Sequence, residues 1–240
     1  MRSFCSALLF VSCLGLPFAT GDVIVNYTQD AGGANPSPLN GLAAQALFDI
    51  DGKYLSILLK NTSTGVPAGF DTAASLLVSL GMNLPGADIL SGDAAVIGPD
   101  ATGLGAWSDR TAGASVGEEW LWTNDYGGDL MEGWRHVLST SQGQGGGTVT
   151  RFDGNSGTVD GPFGGIAAAP AILSIPPNRP AVSDAILFEL TLTRPLSAAE
   201  LEQVARGSIV EFGSDQRYLT PTPEPSALAL LLVAALLRRR

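Results

Sequence analysis

The residues able to do chemistry crowd into one window, Trp107–His136, which holds all 4 tryptophans and the single histidine. Within it, Trp120, Trp122, Tyr126 and Trp134 are interleaved with Glu118, Glu119, Asp125 and Asp129. Aromatic faces beside carboxylates are the ingredients of a glycan platform, because a sugar's C–H face stacks on a ring while its hydroxyls donate to the acids. The same residues have a plainer use. Trp120 and Trp122 are two apart, so on a strand they share one face and suit packing. Packing is the favoured expectation, and a carbohydrate-binding module built on Trp120, Trp122, Tyr126 and Trp134 is the main alternative.

Catalytic sets are harder to assemble. Glu118 or Glu119 with Asp125 or Asp129 would make a glycosidase pair only at a carboxyl separation of roughly 5–10 Å, which proximity in sequence does not establish. His136 is the sole histidine, and no serine stands in a nucleophile elbow, so no Ser–His–acid set forms. The glycines of Gly143–Gly147 lack the lysine of a phosphate-binding loop. The expectation is a non-catalytic protein, with a secreted hydrolase as a second alternative. Asp153, Asn155 and Asp160 offer oxygens from one loop to Ca2+, and Asp49-Ile50-Asp51-Gly52 opens like a calcium loop without its later ligands. Both stretches are equally ordinary turn formers. No cofactor is expected, Ca2+ being the one ion these oxygens would accept.

The elements positioning these residues read as β. Asp22–Gln29, Leu42–Ile50, Tyr54–Asn61, Ser75–Met82, Ile89–Ile97, Gly147–Asp153 and Ala185–Thr193 carry strand signals, several with strict alternation. Asp51-Gly52 between two of them predicts a hairpin with a type I′ turn. Ser197, Glu200 and Gly207 mark one short helix with a capping box, followed by a terminal strand over Ser208–Phe212. Thr220–Pro225 reads as an extended spacer. An all-β class follows: an antiparallel β-sandwich or jelly-roll domain over 22–219 with one short helix, then a short hydrophobic C-terminal helix. Between Asp22 and Thr220 there are 22 acidic and 9 basic side chains, a net charge of −13. Such a surface repels phosphate backbones, so nucleic acid is excluded as a partner.

Both ends carry sorting features. Residues 1–21 have one arginine, an apolar stretch from Phe4 to Phe18 and small residues before Asp22, the layout of a secretory signal peptide. Cys5 and Cys13 fall inside it, so the remaining chain has no thiol chemistry. At the other end an apolar run of 12 residues, Ser226 to Leu237, precedes Arg238-Arg239-Arg240. As a helix it would reach roughly 18 Å against a hydrocarbon core of about 30 Å, which suits a transient anchor better than a permanent one. The arginines would remain cytoplasmic.

Pro223-Glu224-Pro225, the apolar run and the terminal arginines together resemble the PEP-CTERM sorting signal over residues 220–240. The phrases "LSILLKNTST" and "VEFGSD" resemble, more loosely, short β-rich surface proteins bearing that signal. The resemblance implies export by the Sec machinery, processing by an exosortase (a membrane protease-transpeptidase), and residence at the bacterial cell surface, outer envelope or extracellular matrix. The implied role is structural or adhesive, in association with exopolysaccharide.

Overall fold

The hairpin is the simplest element to derive. In the computed structural model, which describes residues 22–32, 41–126, 133–141, 149–155, 159, 161–169, 175–213 and 217–223, β2 (Ala44–Asp51) and β3 (Tyr54–Asn61) pair from Ala44↔Asn61 to Asp51↔Tyr54. Ala44, Ala46 and Phe48 on one strand and Leu55, Ile57 and Leu59 on the other face the core, as their alternation requires. The turn is Gly52-Lys53, one residue later than expected. Only Gly52 takes a positive φ (60°), so the geometry is that of a turn with glycine first, not the type I′ turn that needs positive φ twice. Asp51 stays in the ladder opposite Tyr54.

The remaining described strands are β1 (Val23–Asp30), β4 (Leu77–Met82), β5 (Ile89–Val96), β6 (Gly103–Gly105), β7 (Leu121–Thr123), β8 (His136–Ser139), β9 (Val149–Arg151), β10 (Ile166–Ala167), β11 (Pro180–Ser183), β12 (Ala185–Leu192), β13 (Ile209–Phe212) and β14 (Arg217–Pro221). Together they form one mostly antiparallel network, in the order β5-β12-β3-β2-β1-β14-β13-β4. At β4 the network forks. Ser79–Met82 pair with β8, which continues to β7 and β9, while Leu77 pairs with β10, which continues to β11 and β6. All six residues of β4 are buried, because structure covers both of its faces, and this erases the alternation a one-sided strand shows.

The sheet curls until its far edges meet. Residues 114–116 bond the free edge of β5, through Val96 N–H to Ala114 O (2.9 Å) and Val116 N–H to Ala94 O (2.9 Å). The same segment then bonds the end of β9, Phe152 N–H to Trp120 O (3.0 Å) and Asp153 N–H to Gly117 O (3.2 Å). Tying the ends together removes exposed strand edges that would pair with other chains. Inside the curl, Trp120 packs edge-on against Phe188 at 4.9 Å between centroids, with Phe152 at 5.6 Å on the same ring. Gly92 permits this approach. A Cβ there would come within 2.8 Å of Leu190 Cδ2 and 2.9 Å of Phe152 Cε1.

The helix α1 (Ala198–Arg206) has the expected capping box: Ser197 Oγ accepts from Glu200 N–H, and Glu200 reaches back to the Ser197 backbone. Leu201, Val204 and Ala205, at i, i+3 and i+4, are buried where the helix packs on β1 and β2. Two corrections concern the C-terminal part. Ser208–Phe212 is not the terminal strand, because β14 follows it. Nor are Thr220 and Pro221 spacer: they lie in β14, opposite Gln29 and Tyr27 of β1, and Thr222 N–H adds a bond to Asn26 O at 2.7 Å.

Candidate functional site

Alternation along β7 and β8 decides the fate of the aromatic window. Trp120 is 0 % exposed, and its indole N–H donates to Gly164 O at 2.9 Å. Trp107 is buried too, donating to Glu118 Oε1 at 2.6 Å. Trp122 is half-buried and packs on the main core beside Leu138, its partner on β8. Tyr126 and Trp134, also half-buried, pack on a separate cluster of Val137, Ile209 and Tyr218, and Trp134 Nε1 donates to Gly207 O at 2.8 Å. Val137 and Leu138 are consecutive on β8 and so project to opposite faces. Trp122 therefore lies on one side of the sheet and the Tyr126–Trp134 pair on the other. The four residues do not form a common platform, and Trp120 offers no surface at all. The preference for packing agrees with this burial.

Glu118 and the histidine of the window are likewise occupied. Glu118 Oε1 accepts from both Trp107 and Arg110 Nη2, the latter at 2.8 Å. Asp125 is exposed, and Asp129 lies outside the described residues. His136 is 1 % exposed, with Nδ1 accepting from Leu84 N–H at 3.2 Å and Nε2 3.5 Å from Asp88 Oδ1. Burial lowers its pKa, against the upward pull of Asp88.

The calcium candidates divide. Asp153 already accepts from Asn155 N–H (2.9 Å) and Asn155 Nδ2 (2.9 Å) and from Arg151 Nη2 (2.7 Å), a self-contained turn; Asp160 lies outside the described residues. Asp49 faces Asp22 across β1 and β2, and burial followed by the Asp49 hydrogen bond raises the Asp22 pKa to about 6. Among the described residues no group of three or more His, Cys, Asp or Glu side chains converges on a point. Of the sorting residues, Pro223 is described just beyond β14, whereas Glu224, Pro225, Arg238, Arg239, Arg240 and the leader 1–21 lie outside the described residues. Among the described residues no helix is long and apolar enough to cross a membrane.

Two arrangements had no clear signal in the sequence. The first is a buried polar row across β14, β13, β4 and β8. Tyr218 stands opposite Glu211, Glu211 opposite Ser79, and Ser79 opposite Ser139. Ser79 Oγ donates to Glu211 Oε2 at 2.8 Å and contacts Ser139 Oγ at 2.8 Å. Burial pushes the Glu211 carboxyl up to about 7, with the hydrogen bond from Ser79 pulling the other way. The second is a cavity of about 330 Å³ on the outer face of β3, β12 and β5, lined by Tyr54, Ser56, Ser91, Asp93, Glu189 and Thr191. The ladder registers bring Tyr54, Thr191 and Ser91 into one row and Ser56, Glu189 and Asp93 into the next. Small hydroxyl side chains between larger ones leave the depression. Alternation was legible on each strand alone, but the register joining the three strands was not.

These observations define a mostly antiparallel all-β protein with one capped helix and a polar cavity on an outer sheet face. No family model, curated protein or solved structure matches the chain.

Proposed function

We propose that this is an exported, exosortase-processed protein of the bacterial cell surface or extracellular matrix. Its role is structural or adhesive, in association with exopolysaccharide, and without catalysis. The observation that carries the reading is the ordered tail: Pro223-Glu224-Pro225, a 12-residue apolar run, then Arg238-Arg239-Arg240. The leader 1–21 directs the chain to the Sec machinery, and the tail holds it briefly in the inner membrane until an exosortase acts at the Pro-Glu-Pro. Two structural features support this. The last described strand ends at Pro221, so cleavage beyond Pro223 leaves every described strand whole. Among the described residues the 114–117 segment also covers the edge of β5 and the end of β9, as suits a protein outside the cell. In this reading the curled sheet is a β-sandwich of jelly-roll type.

The test replaces Pro223, Glu224 and Pro225 together by alanine in the native cell. The expected outcome is a chain retained at the inner membrane with its tail intact. Release of the triple variant at the wild-type rate would overturn the reading.

A further inference from the structure

We propose that the cavity lined by Tyr54, Ser56, Ser91, Asp93, Glu189 and Thr191 is a subsite for a neutral glycan. The inference rests on the exopolysaccharide reading above and gives it a place on the molecule.

On β3, β12 and β5 the side chains of Leu55, Ile57, Phe188, Leu190 and Ala94 go inward, which sends Tyr54, Ser56, Glu189 and Asp93 to the opposite face. Tyr54 is 57 % exposed, an open ring face beside polar neighbours on three strands. A β-bulge adds to the apolar rim. Thr191 pairs with Ser91 but Leu192 with Ile89, so Leu90 is the extra residue and is turned out, 57 % exposed, next to the lining Ser91.

Glu189 and Asp93 are direct cross-strand partners. Like charges in that relation destabilise a sheet, and none of the ion pairs among the described residues includes either one. A sheet stabilised at this position would carry one basic residue. Two exposed acids kept side by side at the rim of the depression fit a ligand that donates hydrogen bonds to both.

The volume, about 330 Å³, is at the small end for ligand cavities. The lining offers one exposed ring, three hydroxyls and two carboxylates. A pyranose matches each part: its C–H face stacks on Tyr54, while its hydroxyls donate to Glu189 and Asp93 in charge-assisted bonds and exchange bonds with Ser56, Ser91 and Thr191. The paired carboxylates repel uronate or sulfated chains.

The experiment is calorimetric titration of the protein recovered from the cell surface with cellohexaose, maltohexaose and mannohexaose, with hexagalacturonate and spermine as charged probes. At least one neutral hexasaccharide should bind, and hexagalacturonate should not. Tyr54→Ala should weaken binding by about tenfold or more, and so should Asp93→Asn with Glu189→Gln. Tyr54→Phe should retain binding, and the thermal midpoint of Tyr54→Ala should stay at the wild-type value because the ring is exposed. Absence of binding by all three neutral sugars, wild-type affinity in Tyr54→Ala, or binding of hexagalacturonate or spermine in their place overturns the inference. Tail processing reads out the parent reading separately. Trimmed protein that binds no sugar defeats the subsite alone, and sugar-binding protein with an intact tail defeats the export route alone.

Discussion

Trp120 and Glu211 carry the main residue-scale consequences. Trp120 is buried against Phe188 and bonded to Gly164 O, so Trp120→Ala should lose roughly 3–5 kcal/mol of stability in chemical denaturation. A loss below about 1 kcal/mol would mean the ring is not a core residue. Glu211 gives the protein a pH dependence. A carboxyl held at about 7 in the fold, above an unfolded value of about 4.3, favours the fold fully below that lower value. The contribution is lost as pH rises through 7. Asp22, held at about 6 beside Asp49, acts in the same direction. The thermal midpoint should therefore fall between pH 5 and pH 8, and Glu211→Gln should flatten most of that slope. An unchanged slope in Glu211→Gln would contradict the assignment. Little of this was legible beforehand. Glu211 reads as an ordinary outward residue of a strand, and only the layer over the far side of β4, β8 and β13 makes it a buried one.

Among the elements, those whose causes are local were legible and those whose causes are distant were not. The β2–β3 hairpin follows from alternation and one glycine, and α1 follows from Ser197, Glu200 and Gly207 within 11 residues. Removing that cap by Ser197→Ala should cost about 1 kcal/mol, checked by urea unfolding. By contrast, β6, β7 and β10 have two or three residues each and exist because partners far along the chain hold them; their own propensities are too weak to announce them. The Gly52-Lys53 turn was misplaced by one residue because either dipeptide satisfies a two-residue loop, and the ladder register decides between them. The Glu189–Asp93 pair is an element-scale cost. Asp93→Asn should stabilise the β12–β5 edge by roughly 0.2–1 kcal/mol, measured by thermal unfolding, while weakening glycan binding. Destabilisation by that change would mean the two acids do not repel in the fold.

At the scale of the whole molecule, the two ends of the described chain meet: β14 lies between β1 and β13 and completes the network. Truncation before Arg217 should unfold the protein, whereas truncation after Pro223 should leave the thermal midpoint unchanged. That contrast separates a tail used for sorting from one the fold requires. The address in the tail was legible because it is a short linear pattern read without a fold. The aromatic platform stayed open as an alternative to packing because ring spacing in sequence does not tell which face of a curled sheet each ring joins, and the cavity around Tyr54 had no signal because three strands distant in sequence build it. The fate of the tail is the most direct test of export and processing. Intact-mass measurement of the protein recovered from the cell surface should give a chain lacking residues 1–21 and everything beyond about Pro225; a surface form that still carries Arg240 would contradict it.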